Sequence, residues 1–159
     1  MQYDKLDILL IEDNIHDVTF IMEAVKASGM DLKLHRLPDG AEALNFLYGK
    51  ESFLNRDTGD QPKMILTDLR MPKMDGYDLL KLIKKDDKTK EIPVVVMTTS
   101  SSDDDIERSY RLGANSYLVK PMDIDVFIDK LIKVFNYWLK VNVINSHGYH
   151  EGVSPSYTF

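Results

Sequence analysis

Three carboxylates, one hydroxyl and one ammonium carry most of the chemistry this sequence can offer: Glu12 and Asp13, Asp68, Thr98 and Lys120. Each follows a short apolar run. LDILLI precedes Glu12-Asp13, MILT precedes Asp68, PVVVM precedes Thr98, and SYLV precedes Lys120. Brought together, the carboxylates repel, and each pair at ~4 Å costs about 4 kcal/mol at an effective dielectric near 20. A raised pKa or a bound cation must relieve that repulsion. An all-oxygen acidic site suits a hard cation. Mg2+ fits best, because it takes one or two carboxylates, keeps waters and completes its shell with phosphate oxygens. A hydroxyl from Thr98 and an ammonium from Lys120 are what a phosphoryl group needs on its remaining oxygens. The chemistry is therefore phosphoryl transfer, with positioning and charge neutralisation supplying the catalysis. Asp68 is the expected nucleophile, forming an aspartyl phosphate.

These residues meet only if strands deliver them to one edge. Near-continuous apolar runs mark strands buried on both faces; Leu6–Ile11 and Pro93–Met97 fit that description, and Met64–Leu69 and Ser116–Val119 read as the third and fifth strands. Leu32–Leu37 alternates apolar and polar residues, which predicts a strand nearer an edge. Between the strands, Val18, Ile21, Met22 and Val25 form one helical stripe, stopped by Ser28-Gly29. A short helix is expected over Ala41–Leu47, and Leu79, Leu80 and Ile83 give the third helix a buried face. Asp103–Leu112 is a helix with acidic residues in its first turn, where the macrodipole favours them. Ile124, Phe127, Ile128, Leu131, Ile132 and Phe135 form the stripe of the last helix. Gly49–Lys63 is polar and longer than the usual connection of about two to six residues, so it reads as a surface excursion. Five strands alternating with five helices call for an α/β fold, a doubly wound five-stranded parallel sheet with helices on both faces. Ligands bind such sheets just outside the carboxyl ends of the strands.

At this point four fragments carry a family resemblance: LLIEDN, LTDLRMPKMDG, PVVVMTTS and GANSYLVKP, in that order. The chain resembles a response regulator receiver domain over residues 5–139, with 140–159 left as a C-terminal tail expected to be mobile. The resemblance implies strand order 2-1-3-4-5 and phosphorylation of Asp68 by a histidine kinase. It implies Mg2+ held by Glu12, Asp13, Asp68 and the backbone carbonyl of Arg70. It also implies phosphoryl contacts from Thr98 and Lys120, and a cis peptide at Lys120–Pro121. Tyr117, three residues before Lys120, falls where receivers place a switch aromatic. A half-buried strand aromatic is the plainer alternative. The long 49–63 insertion, the Thr98-Thr99-Ser100 run and a last helix extending into FNYWL resemble the small regulators paired with bacterial phytochromes. Arg70 and Ser100 depart from the chemotaxis-type receiver, which has Asn and Glu there, so the phosphoryl lifetime does not carry over.

Taken singly, every one of these residues has an ordinary reading. Asp68 could form a turn, Glu12-Asp13 could cap a helix, Thr98 could be a strand residue, and Lys120 could be solvated. Asp75 reads as a turn former, and Asp103, Asp104 and Asp105 as solvated helix-start charges. His147 and His150 have metal-compatible spacing but fall in the tail, and His16 and His35 have no ligand companions.

Composition narrows the alternatives. A net charge of −6 over 159 residues argues against a nucleic-acid binder. No apolar run approaches the ~20 residues needed to span a bilayer. Zero cysteines exclude disulfides and thiol catalysis, and a polar N-terminus leads us to expect a cytoplasmic protein. Tyr137 and Trp138 point to packing on the body or to a homodimer through the last two helices and the fifth strand. No output domain is expected after the last helix. The competing reading is a Mg-dependent phosphohydrolase with Asp68 as nucleophile, but such enzymes carry an acid/base Asp two residues on, where this chain has Arg70. A flavin module of the same sheet order would need a phosphate loop where Glu12-Asp13 stands.

Overall fold

The computed structural model describes residues 6–143. Five strands, β1 (Ile8–Ile11), β2 (Leu34–Leu37), β3 (Met64–Thr67), β4 (Val94–Thr98) and β5 (Ser116–Val119), form one sheet. All pairs are parallel, in the order β2-β1-β3-β4-β5. The helices are α1 (Ile15–Ala27), α2 (Gly40–Tyr48), α3 (Gly76–Lys85), α4 (Asp103–Arg111) and α5 (Ile124–Asn136).

Strand β1 shows why the central runs are apolar throughout. Leu9 and Ile11 pack with Ala43, Phe46, Leu79, Leu80 and Ile83 of α2 and α3. Ile8 and Leu10 pack on the opposite face with Ile21, Ala24, Phe127, Leu131 and Phe135 of α1 and α5. Each such side chain, taken fully out of water, contributes about 1.5–3 kcal/mol. The helices start where polar side chains accept from free N–H groups. Asn14 accepts from His16, Asp39 from Glu42, Asp75 from Asp78, Ser102 from Asp105 and Asp123 from Val126. Asp75 is therefore the cap of α3 rather than a simple turn residue. Helix α4 buries only Ser109, whereas every other α-helix buries at least three residues. It is the helix with the fewest apolar ties to the body.

Two details differ from the sequence expectations, and the extension of the last helix matches them. Strand β3 stops at Thr67, which leaves Asp68 just past its end. The 49–63 insertion is not wholly a surface excursion, because Phe53 and Arg56 are buried. Phe53 meets Phe46 edge-on at 5.2 Å, and the Arg56 guanidinium lies 4.2 Å from the Phe46 ring centre while donating to the Phe46 carbonyl. One aromatic and one arginine thus tie a polar segment to α2. The last helix continues past Asn136 as a π-helical turn, Tyr137–Val141, and the Trp138 indole donates to Ser116 Oγ at 3.2 Å. The residues of the expected mobile tail from 144 onward, including His147 and His150, lie outside the described residues. Among the described residues no helix is long and apolar enough to cross a membrane.

Candidate functional site

Sheet hydrogen bonding runs one residue past several strands. Glu12 N–H donates to the Leu37 carbonyl (3.1 Å), Asp68 N–H to Ile11 (3.1 Å) and Lys120 N–H to Thr98 (2.7 Å). The first residue beyond each strand is thus still held by the sheet and delivered to a common edge. Thr98 ends β4 and is buried. The turn after Asp68 is equally constrained: Leu69 N–H donates to Asp68 Oδ1 at 2.7 Å, and Gly76 N–H to the Leu69 carbonyl at 2.8 Å. Gly76 approaches so closely that a Cβ there would lie 2.2 Å from the Asp68 carbonyl oxygen. Only glycine fits where α3 begins against the end of β3.

The Lys120 side chain is the centre of charge. Its ammonium lies 2.7 Å from Asp17 Oδ2, 2.8 Å from Glu12 Oε2 and 3.3 Å from Asp68 Oδ2. Glu12 is fully buried, and burial pushes its carboxyl up to about 7 against the pull of Lys120. Burial works to lower Lys120, but the bonds from Asp17 and Glu12 outweigh it and hold the ammonium above its ordinary value. One buried cation thus faces several carboxylates. Glu12, Asp13 and Asp68 each offer an oxygen within 4.8 Å of the others'. Hard oxygen donors with surplus negative charge fit a divalent cation of the Mg2+ class.

A second network adjoins the first. The Asp105 carboxylate accepts from Tyr77 OH (2.5 Å) and Ser100 Oγ (2.5 Å), and Arg70 Nη2 lies 3.5 Å from it. The bonds from Ser100 and Tyr77 hold Asp105 down at about 2. Tyr117 packs partly into the core beside α3, and its hydroxyl donates to the Ser100 carbonyl at 2.9 Å.

The structure thus gathers Glu12, Asp13, Asp68 and Lys120, with Thr98 at the end of the neighbouring strand. It links Tyr117 to the loop after Thr98. The Arg70 backbone turns its N–H toward Asp68 Oδ1 at 3.5 Å, while its side chain is exposed and faces Asp105. One expectation is corrected: the Lys120–Pro121 bond is not cis, and no cis peptide occurs among the described residues. Trans is intrinsically favoured by about 0.5–1 kcal/mol, and Lys120 reaches its three carboxylates from a trans bond, so aiming the side chain does not require cis. Two residues were missed. Asp17, in the first turn of α1, is given no role by the sequence, and Asp105 reads there as a solvated helix-start charge. Nothing in their spacing distinguishes them from such charges, because their partners lie on other elements.

Sheet order and edge chemistry together narrow the class to receiver-type α/β modules. The response regulator receiver domain family matches residues 8–132, and the chain belongs to it. It is 40% identical over 140 residues to the probable methanogenesis regulatory protein FilR2 of Methanothrix harundinacea, covering 87% of each. It is 38% identical over 133 residues to the response regulator Rcp1 of Synechocystis, covering 84% of this chain and 88% of Rcp1. The solved structure of the phosphorylated cyanobacterial phytochrome response regulator RcpA superposes with a TM-score of 0.83 at 34% identity, covering 89% of this chain and 99% of RcpA. Rcp1 in its Mn2+-bound form gives 0.80 at 36%, covering 87% and 98%. The chain is a response regulator similar to phytochrome response regulators. The phosphohydrolase alternative finds no support: Arg70 occupies the acid/base position and pairs with Asp105.

Proposed function

We propose that the chain is a phosphorelay switch in which Asp68 accepts a phosphoryl group from the phosphohistidine of a histidine kinase. The convergence on Asp68 carries this reading. Glu12 and Asp13 offer oxygens within 4.8 Å of its carboxylate, and the Lys120 ammonium is 3.3 Å away. An Asp68 oxygen attacks phosphorus in line, the P–N bond breaks, and the imidazole leaves with the bonding pair and takes a proton from solvent. Lys120 and the Thr98 hydroxyl bind the phosphoryl oxygens and orient them. The residues that would hold Mg2+ are Glu12, Asp13, Asp68 and the Arg70 backbone carbonyl. When bound, the cation neutralises phosphoryl charge. Hydrolysis later returns Asp68 to a carboxylate, so the chain turns over only its own modification.

In this reading the readout runs through β4 and β5. Thr98 closing on the phosphoryl group shifts the loop whose Ser100 carbonyl accepts from Tyr117, and that bond reports the change to the α4–β5–α5 face. Tyr110, Val126, Tyr137 and Val141 are exposed on this side of the chain, which supports a homodimer there, with the functional unit spanning residues 5–139. Similarity to Rcp1 and RcpA supports a phytochrome-type kinase partner, with both proteins in the cytoplasm.

The test is incubation with Mg2+ and acetyl phosphate, followed by intact mass. The chain should gain one phosphoryl group and Asp68→Asn none. Equal labelling of the two would overturn the assignment. Light scattering that shows a monomer at micromolar concentration, with and without phosphodonor, would remove the dimer.

A further inference from the structure

The Arg70–Asp105 pair joins two parts of unequal freedom. Asp105 is fixed, because the hydroxyls of Tyr77 on α3 and Ser100 on the β4–α4 loop both donate to its carboxylate. Tyr77 is itself packed, with its ring under the Arg108 guanidinium at 3.9 Å. Arg70 is not fixed in this way: its side chain is 75% exposed and its Nη2 stands 3.5 Å from Asp105. A pair so exposed is weak. Arg70 also lies only two residues from Asp68, where a phosphoryl group would bring roughly two negative charges and three acceptor oxygens. A guanidinium takes such oxygens in a bidentate fork, so two acceptors compete for one mobile cation.

We propose that Asp105 is a positioning residue that holds the Arg70 guanidinium off the phosphoryl group of Asp68 and thereby sets how fast that group is hydrolysed. The inference rests on Asp68 being the phosphoacceptor. In hydrolysis, a water oxygen attacks phosphorus on the side away from Asp68. The P–O bond to Asp68 breaks with its electron pair returning to the carboxylate, inorganic phosphate leaves, and the water proton passes to phosphate or solvent. A guanidinium forked over the phosphoryl oxygens stands across that approach. Asp105 draws it aside, toward α4.

The experiment is a double-mutant cycle on the phosphorylated protein. Wild type, Asp105→Asn, Arg70→Asn and the double variant are loaded with acetyl phosphate and Mg2+. Loss of phosphoryl is then followed by intact mass after the donor is removed. Asn at 105 still accepts from Tyr77 but carries no charge for Arg70. Asp105→Asn should slow hydrolysis by roughly threefold or more, the size expected of an exposed ion pair. Arg70→Asn should quicken it, and adding Asp105→Asn to Arg70→Asn should change nothing further. An unchanged or faster rate in Asp105→Asn overturns the proposal, and so does an equal slowing in the Arg70→Asn background, which would mark Asp105 as merely structural. A second measurement reads Arg70 directly. Its Nε–H NMR signal should shift on addition of beryllofluoride and Mg2+ by more in Asp105→Asn than in wild type, where Asp105 holds the guanidinium aside, and equal shifts in the two chains also overturn the proposal. If wild type takes up no phosphoryl group at all, the assignment of Asp68 has failed instead.

Discussion

The Lys120 ammonium lies closer to Asp17, at 2.7 Å, than to Asp68, at 3.3 Å. The side chain expected to serve the phosphoryl group is thus partly engaged elsewhere in this state. Its three carboxylate partners come from three elements: the end of β1, the first turn of α1 and the end of β3. The bond to Asp17 must lengthen or yield when a phosphoryl group claims Lys120.

Asp17→Asn removes that competitor while Glu12 keeps Lys120 in place. A charge-assisted bond of this kind is worth on the order of 1 kcal/mol net, so affinity for beryllofluoride with Mg2+ should rise roughly fivefold. Titration followed by Trp138 or tyrosine fluorescence measures it. Weaker binding in Asp17→Asn would mean that Asp17 orients Lys120 rather than diverting it.

Gly76→Ala places a methyl group 2.2 Å from the Asp68 carbonyl oxygen and 2.7 Å from Leu69 Cα. Both neighbours are backbone, so neither can swing aside as a side chain could. The chain should lose about 2 kcal/mol or more of stability, and Asp68 should be displaced. Denaturant melts together with acetyl phosphate labelling check both effects, and a variant as stable and as readily labelled as wild type would contradict this geometry.

If the proposed Mg2+ site is right, Mg2+ added to the metal-free chain should raise its melting temperature, since the folded chain alone brings Glu12, Asp13 and Asp68 together. At a concentration near a hundred times the Kd the gain is about 2.7 kcal/mol. Asp13 is exposed, so Asp13→Asn should leave the metal-free melt almost unchanged while shrinking the Mg2+ response. Chelation with EDTA should return wild type to its metal-free value.

Lys84 donates to the carbonyls of Lys90 and Ile92 and to Asn115 Oδ1, at 3.0, 2.8 and 2.9 Å, and burial pulls its ammonium down from 10.5 to about 8. Between those values the unfolded chain binds more protons than the folded one, so stability rises with pH. From about pH 8 to about pH 9.5 the gain should be on the order of 1 kcal/mol. It should be absent in Lys84→Met. Tyr77, pushed up to about 12 chiefly by burial, acts with the opposite sign only above pH 10. Urea midpoints of both chains across this range provide the comparison.

The order of elements and the identity of the edge residues were legible in the sequence because local rules express them. Apolar runs ending in a polar residue marked β1, β3 and β4, which are buried throughout, and β5, which lies half-buried at the sheet edge, and the sheet order followed from the receiver resemblance. Residues whose partners are remote were not legible. Asp17 and Asp105 occupy first helical turns, where any acidic side chain is favoured, so their spacing could not separate a cap charge from a bridge to Lys120 or Arg70. Phe53 and Arg56 sit in a polar insertion and are buried by partners on other segments, Phe46 on α2 among them.

The sequence by itself determined the doubly wound α/β fold and the delivery of Glu12, Asp13, Asp68, Thr98 and Lys120 to one edge, because strand burial and alternation are written in consecutive residues. Only the tertiary structure decided how the charges at that edge are shared. Lys120 is divided among Glu12, Asp17 and Asp68, Arg70 is turned toward Asp105, and Tyr117 is tied to Ser100. Those choices depend on distances between side chains from separate elements, and an ion pair or hydrogen bond forms only where packing brings the two groups within about 3–4 Å.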